Sequence, residues 1–151
     1  MVFYYSATKK SKAYAKLLGE MLKFDVYELK CALDASRKLS FYLAAAFRKS
    51  QSEITNIPKT IDADEIYLVG PVWAGDPARP LKCFLENASL EGKRVNVLLT
   101  AMIADGKYAL TAEKFLSQIN CIPGEVHVFA TSKTGLDKEI AEIHIRKLFN
   151  V

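Results

Sequence analysis

The chain has 151 residues, of which 50% are hydrophobic and 25% are charged, a composition that predicts one globular domain spanning residues 1–151. No apolar stretch approaches the roughly 20 residues of a membrane span, and no secretory leader precedes the first strand-like segment, so we expect a cytoplasmic protein that does not contact the membrane. The formal charge of +4 is spread along the chain, which argues against nucleic-acid binding. The three cysteines lie far apart in the sequence, which argues against a disulfide framework or a zinc site.

The first segment, VFYYSATKKS, predicts a strand, a polar turn and the start of a helix. Its turn offers hydroxyls, ammonium groups and the first amides of the helix, which have no partner within the helix. Such a turn can hold an anion, because the helix dipole is also positive at this end. A simpler alternative is a helix start that Ser6 or Thr8 caps, with exposed lysines beside it.

The next segments predict an amphipathic helix that ends near Lys23 and an edge strand over Phe24–Leu29. Residues 30–64 are longer than a strand-to-strand crossover needs, so we interpret them as a peripheral excursion with a helix around Phe41–Phe47. The polar and aromatic residues of this excursion either form a lid over a ligand or pack against the sheet. They are Ser40, Phe41, Tyr42 and Phe47.

The remaining chain alternates apolar strand-like runs with helical segments. The strands are predicted at Glu65–Gly70, Arg94–Thr100 and Glu125–Thr131, and the helices at Leu81–Leu85, Lys107–Ile119 and Leu136–Phe149. In the last helix we place Leu136, Ile140, Ile143, Ile145 and Leu148 mostly on one face. Five strands in alternation with helices predict an α/β protein with a parallel sheet covered on both sides.

Three strand exits carry unusual sequences: SATKKS after the first strand, PVWAGDPARP after the third and TAMIADGKY after the fourth. Ligands of open parallel sheets bind beyond the carboxyl ends of the strands, so these loops are the candidate site. Asp76 and Arg79, in the second loop, are interpreted as a solvated ion pair, and Asp105 before Gly106 fits a turn. His127 and His144 join no recognisable metal or nucleophile cluster, and we interpret both as structural.

The chain resembles the flavodoxin-like family of FMN-binding proteins over nearly its whole length. The phosphate loop of that family reads Ser or Thr, any residue, Thr, Gly, any residue, Ser or Thr. Here Ser6, Thr8 and Ser11 fall on the hydroxyl positions, and Lys9 stands at the glycine position. The segment IYLVGPVWAGDPARPLKCFLE resembles the second binding loop of the family, in which an aromatic residue, here Trp73, lies beside the flavin.

This resemblance implies a flavodoxin-like three-layer sandwich whose five-stranded parallel sheet has the order 2-1-3-4-5. It also implies FMN as cofactor, with the phosphate on the first loop, the ring stacked on Trp73, and backbone groups of the second and third loops at the ring edge. No catalytic side chain and no metal site are implied. The cofactor-binding residues predicted in this way are Ser6, Ala7, Thr8, Lys9, Lys10, Ser11, Pro71, Val72, Trp73, Ala74, Gly75, Thr100, Ala101 and Met102.

Two functions follow from these residues. The first is an FMN-binding redox protein, either an electron carrier with a redox partner protein or a small flavin-dependent reductase that takes electrons from a pyridine nucleotide. The second is a flavodoxin-like binding or interaction module that has lost flavin or binds it weakly. Lys9 motivates the second function because it adds a β-carbon at the glycine position, and Met102 and Ile103 motivate it because they can fill part of the flavin space. The sequence does not indicate an oligomeric state.

Overall fold

Residues 1–31, 54–131 and 138–149 are described by the computed structural model of the chain, and they contain six strands and four helices. The predicted helix around Phe41–Phe47, the lid residues Ser40, Phe41, Tyr42 and Phe47, and Leu136 lie outside the described residues. The strands are β1 (Val2–Tyr4), β2 (Val26–Glu28), β3 (Glu65–Trp73), β4 (Asp76–Pro77), β5 (Arg94–Ala101) and β6 (Ile122–Ala130). The helices are α1 (Lys10–Leu22), α2 (Arg79–Asn87), α3 (Gly106–Leu116) and α4 (Lys138–Phe149).

Five of the strands form one parallel sheet in the order β2-β1-β3-β5-β6. This order confirms the predicted order 2-1-3-4-5, because β4 pairs only with β3 and runs antiparallel to it. The strand order reverses between β1 and β3, which are hydrogen-bonded neighbours with Val2 opposite Tyr67. A ligand site is therefore expected at the carboxyl ends of these two strands.

The sheet has a buried hydrophobic cluster on each face, because successive side chains of a strand point to opposite sides. One cluster joins Phe3 and Leu68 of the sheet to Phe84 of α2 and Leu116 of α3. The other cluster joins sheet residues to α1 and α4; its members include Val2, Tyr67, Leu98, Tyr14, Leu18, Ala141 and Ile145. The described residues thus form three layers, with helices on both faces of the sheet, as the sequence predicted.

The buried face of α4 differs from the prediction. Ile140 and Ile143 are 51% and 58% exposed, whereas Ala141 and Ile145 are fully buried against the sheet. The prediction of one face carrying Ile140, Ile143 and Ile145 was wrong, because two apolar patterns with helical spacing overlap in this segment and only one of them contacts the core.

A polar side chain interrupts the ladder between β5 and β6. Asn96 is buried, and its Oδ1 accepts a hydrogen bond from the Glu125 amide at 2.9 Å, while its Nδ2 donates to Glu65 Oε1 at 3.0 Å. The register between the two strands shifts between Val95 and Val97. Because Asn96 takes the place of a backbone acceptor, we attribute the bulge at this position to its side chain.

The two ends of the excursion are held together at the carboxyl end of β2. Cys31 and Ile54 form an antiparallel bridge, and the Thr55 amide donates to the Lys30 carbonyl at 2.9 Å. The Asn56 side chain accepts from the Lys30 amide at 2.8 Å and donates to the Glu28 carbonyl at 2.7 Å. These hydrogen bonds form a stem, residues 28–31 with 54–56, at the same edge of the sheet as the candidate loops.

Candidate functional site

The turn after β1 begins α1 without a side-chain cap. Lys9 is the N-cap residue, with φ 66° and ψ −7°, and its side chain makes no capping hydrogen bond. The prediction that Ser6 or Thr8 is the N-cap of this helix is therefore wrong. Lys9 occupies the left-handed backbone region that the family glycine would adopt without strain, at a cost of about 1–2 kcal/mol for an L-residue.

The three hydroxyls of this turn have different surroundings. Ser6 Oγ is buried and has no hydrogen-bond partner in the described part of the chain. Thr8 is exposed. Ser11 is 2% exposed, and its Oγ lies 2.8 Å from Thr100 Oγ1 on β5, so its hydroxyl is already engaged with the sheet. Of the three, Ser6 is the hydroxyl that lacks a partner, and a buried hydroxyl without a partner is costly unless a ligand satisfies it.

The predicted loop after the third strand is largely a β-hairpin. Strand β3 continues through Trp73, which pairs with Asp76 of β4, and the Pro71 carbonyl accepts a hydrogen bond from the Ala78 amide at 2.9 Å. Ala74 and Gly75 form the two-residue turn and both have positive φ, 50° and 85°. A two-residue hairpin turn requires this backbone, and only Gly75 adopts it without strain.

Trp73 contacts Tyr5 at the exit of β1. The two ring centroids lie 5.6 Å apart with an interplanar angle of 87°, an edge-to-face arrangement. Tyr5 is 4% exposed, whereas Trp73 is only partly buried. Tyr5 was not among the predicted site residues, although its position as the last apolar residue before the hydroxyl-rich turn was a usable signal. This contact joins the exit of β1 to the exit of β3.

The third loop begins later than predicted, because β5 includes Thr100 and Ala101. Met102 and Ile103 follow and are 75% and 70% exposed. They extend into solvent, so in this structure they do not fill the space above the sheet edge. Asp105 caps α3 by accepting a hydrogen bond from the Lys107 amide at 2.9 Å, which agrees with the turn predicted there.

The charged side chains of the second loop pair differently from the prediction. Asp76 pairs with Lys82, and Arg79 forms a two-bond pair with Glu86 through Nη1 at 3.0 Å and Nη2 at 2.6 Å. The interpretation of Asp76 and Arg79 as partners of each other was wrong. Lys82 of α2 pairs with Asp76, and Glu86, two turns after Arg79 in the same helix, pairs with Arg79. The Asp76–Lys82 pair attaches the hairpin to α2, whereas the Arg79–Glu86 pair lies within α2.

A third ion pair lies at the carboxyl end of β2. Lys12 Nζ is 3.5 Å from Glu28 Oε2 and 6.0 Å from the centroid of the Tyr4 ring. Burial of the Tyr4 ring, followed by its hydrogen bond with Glu28, raises the pKa of the Tyr4 phenol. Lys12 therefore interacts with groups of both β1 and β2.

The fold places the predicted site residues on the exits of three adjacent strands. Pro71 of β3 is the register partner of Thr100 of β5, and the Ser11–Thr100 hydroxyl pair joins α1 to the same strand. Trp73 contacts Tyr5 across the exits of β3 and β1. The three loops therefore share one edge, and the residues predicted to bind the cofactor lie along it: Ser6–Ser11, Pro71–Gly75 and 100–102.

Other kinds of site find little support in the described residues. No group of three or more His, Cys, Asp or Glu side chains could hold a metal ion there. His127 Nε2 lies 2.8 Å from Glu125 Oε2, and His144 packs at a tilt against Phe129, so both histidines have structural neighbours. None of the described helices has the length and apolar character needed to cross a membrane.

No protein-family model matches the sequence, and no curated protein matches it. Solved structures do match the fold. A Bacteroides eggerthii protein classed provisionally as a flavoprotein has a TM-score of 0.74 at 22% identity, covering 99% of this chain and 96% of its own. A Lactobacillus acidophilus flavoprotein in complex with FMN has a TM-score of 0.63 at 23% identity, covering 83% and 91%. A Streptococcus pneumoniae flavodoxin has a TM-score of 0.54 at 16% identity, covering 99% and 96%. The chain therefore has the flavodoxin-like fold that the resemblance of its sequence implied.

Proposed function

We propose that the chain binds FMN at the edge formed by the loops after β1, β3 and β5, and that it is a redox protein. The observation that carries this proposal is the turn after β1, where an uncapped helix start, a left-handed Lys9 and the unpartnered, buried Ser6 hydroxyl lie together. A phosphate accepts hydrogen bonds from amides and hydroxyls and is favoured by the positive end of a helix. The turn thus fits the phosphate of FMN.

The hairpin after β3 fits the flavin ring. The isoalloxazine is a flat apolar surface, and Trp73, a partly buried aromatic residue on the hairpin, is the side chain on which it would stack. Ala74 and Gly75 form the turn next to this ring, and non-glycine residues in strained left-handed conformations are concentrated at ligand sites. The fold neighbour from Lactobacillus acidophilus, which is in complex with FMN, supports the same ligand.

The residues of the chain would hold and orient the cofactor, and bound FMN would supply the electron or hydride chemistry. Ser6, Thr8 and the amides of Ala7 to Ser11 bind the phosphate in this proposal. Trp73 positions the ring, and Ser11 acts through its hydroxyl pair with Thr100, which keeps the start of α1 against β5. Lys9 and Lys10 add positive charge near the phosphate.

Titration of the purified protein with FMN tests the proposal. We expect quenching of both the flavin fluorescence and the emission of Trp73, the single tryptophan of the chain. Ser6→Ala should weaken FMN binding about tenfold, since a hydrogen bond to a charged group contributes about 1.5–3 kcal/mol. Ser117→Ala is the matched control, because the Ser117 hydroxyl is exposed and bonds only the Lys114 carbonyl at 2.8 Å.

A lack of quenching with a correctly folded protein would reject FMN binding and favour the second function, an interaction module without flavin. Lys9 favours this second function, because a left-handed lysine adds a β-carbon at the position where the family has glycine. If FMN binds, anaerobic addition of NADH or NADPH separates the two redox roles. Bleaching of the flavin absorbance is expected for a reductase, and an unchanged spectrum for an electron carrier.

A further inference from the structure

The outer side of α4 carries a stripe of three residues, Glu139, Ile143 and Lys147, which we call the α4 stripe. These residues are four positions apart, so they lie one above another on the same side of the helix. All three are exposed, and Ile143 at the centre is 58% exposed. Ile140, one turn before Ile143, is 51% exposed and borders the stripe.

The two charges of the α4 stripe have no ion-pair partner in the described part of the chain. The ion pair within this helix joins Lys138 to Glu142 instead, at 3.7 Å. A helix dipole favours an acid in the first turn and a cation in the last, which accounts for the order of the two charges. It gives no reason for an exposed isoleucine midway between them.

The α4 stripe is complementary to a second copy of itself in the antiparallel orientation. A twofold axis at Ile143 places the two Ile143 side chains against each other. Because Glu139 and Lys147 both lie four residues from Ile143, the same axis places Glu139 of one copy opposite Lys147 of the other, twice. A parallel arrangement would bring like charges together, so the charges select the antiparallel one.

Another exposed apolar residue, Leu110 of α3, lacks this charge pattern. Leu110 is 64% exposed, which is more than Ile143. The positions four residues before and after it are Gly106 and Lys114, so pairing two copies at Leu110 would supply no opposite charge. The comparison favours α4 over α3 as a surface that recognises a second copy.

We propose that the chain forms a weak antiparallel homodimer through the α4 stripe, with Ile143 at its centre and two Glu139–Lys147 ion pairs at its ends. One helix face is smaller than the roughly 800 Å² per partner of a standard interface, so we expect a dissociation constant between about 1 μM and 1 mM. None of the predicted cofactor-binding residues lies on α4, so dimerisation does not depend on FMN.

Sedimentation velocity of the full chain at concentrations from about 10 μM to 1 mM tests the dimer. The weight-average mass should rise from 16.9 kDa towards twice that value. Ile143→Asp should weaken association at least about tenfold, because it places two carboxylates at the apolar centre. Leu110→Asp is the matched control, because α3 packs on the other face of the sheet, and it should leave association unchanged.

Exchange of the charges tests the antiparallel pairing. Glu139→Lys and Lys147→Glu should each weaken self-association about fivefold, because each places like charges opposite one another. An equimolar mixture of these two variants should associate more tightly than either alone, since every facing pair is then opposite in sign. Glu113→Lys makes the same charge change at an exposed position of α3 and should have no effect. Circular dichroism checks that each variant is folded.

A mass that stays at 16.9 kDa up to about 1 mM overturns the proposal, in favour of a partner other than a second copy. Association that Leu110→Asp abolishes and Ile143→Asp does not would place the contact on α3, which also overturns it. If the mixture of the two charge variants associates no more tightly than each variant alone, the antiparallel pairing of α4 is wrong.

Discussion

The Ser11 and Thr100 hydroxyls lie 2.8 Å apart and join the first turn of α1 to the end of β5. Both residues are buried, and Thr100 Oγ1 is also 3.5 Å from the Gly70 carbonyl of β3. This pair connects residues that are 89 positions apart in the chain. It joins the turn that we propose binds the phosphate to the strand that leads to the exposed Met102 and Ile103.

Removing either hydroxyl should destabilise the protein. We expect Ser11→Ala and Thr100→Val each to lower the free energy of unfolding by about 1–2 kcal/mol, because each leaves a buried partner hydroxyl poorly satisfied. The double variant should lose less than the sum of the two, which a double-mutant cycle from urea unfolding measures. Thr111→Val, at an exposed helix hydroxyl, should change stability by less than about 0.5 kcal/mol. Strict additivity would show that the two hydroxyls do not interact.

Lys9→Gly should stabilise the turn after β1. Glycine removes the cost of about 1–2 kcal/mol that the left-handed conformation imposes on an L-residue. Glycine also has more freedom in the unfolded chain, which lowers the free energy of unfolding by about 0.5–1 kcal/mol. The expected net increase in the free energy of unfolding is therefore about 0.5–1 kcal/mol. Lys23→Gly is the matched control, because Lys23 has φ 56° and ψ 42° at the other end of α1. Thermal unfolding should show a similar gain for both variants.

The same two variants separate the two effects of Lys9 on the cofactor. If its charge attracts the phosphate, Lys9→Gly weakens FMN binding a few-fold at low salt and the loss fades at high salt, whereas Lys23→Gly has no effect. We expect this result, since the turn already has the left-handed backbone with lysine in place. Tighter FMN binding by Lys9→Gly would instead identify its side chain as an obstruction.

Gly124→Ala should destabilise the edge of the sheet. An added Cβ would lie 2.8 Å from the Val95 carbonyl oxygen and would collide with Asn96 Oδ1, the atom that holds the bulge between β5 and β6. A loss of about 1–3 kcal/mol is expected from such overpacking. Gly106→Ala is the control, because nothing lies within 4 Å of its added Cβ at the start of α3. It should raise stability by about 0.5 kcal/mol through helix propensity. Equal effects in denaturant unfolding would contradict the packing around Asn96.

Stability at high pH should depend on Tyr67. Burial, followed by the nearby Glu65 carboxylate, raises the pKa of the Tyr67 phenol. Below about pH 10, the ordinary value, both the folded and unfolded chains hold this proton. Above it the unfolded chain ionises and the folded chain does not, so the free energy of unfolding falls as pH rises. Tyr67→Phe should reduce this fall in urea unfolding at several alkaline pH values, whereas Tyr27→Phe, at a side chain 44% exposed, should not.

The layers were predictable because each apolar run is bounded by turn residues and alternates with a helical pattern, whereas the strand order was implied by the resemblance to the flavodoxin-like family. The hairpin of β3 and β4 was not predictable from the sequence, because Asp76 and Pro77 have low strand preference and Ala74–Gly75 is a weaker turn signal than Asn-Gly. The left-handed Lys9 could be expected only from the glycine of the family motif. The contact of Ser11 with Thr100 and that of Tyr5 with Trp73 follow from the tertiary arrangement, which local patterns do not encode.

The exposed Ile140 and Ile143 show the same limit within one helix. The spacing of Ile140 and Ile143 is as regular as that of Ala141 and Ile145, and an isoleucine is more hydrophobic than Ala141. Hydrophobicity alone would therefore place Ile140 and Ile143 in the core. The small Ala141 nevertheless faces the sheet, because α4 must approach α1 and Tyr67 closely on that side. Periodicity indicates that a helix has a buried stripe, and the space available at the neighbouring layer decides which stripe it is.

The stem at the carboxyl end of β2 has a consequence for protein engineering. The Glu28 and Lys30 backbone groups bind Thr55 and Asn56 directly, so the chain is closed before residues 32–53 begin and after they end. Redesign of this edge of the sheet should therefore keep Thr55 and Asn56, because they hold the carboxyl end of β2 where it pairs with β1.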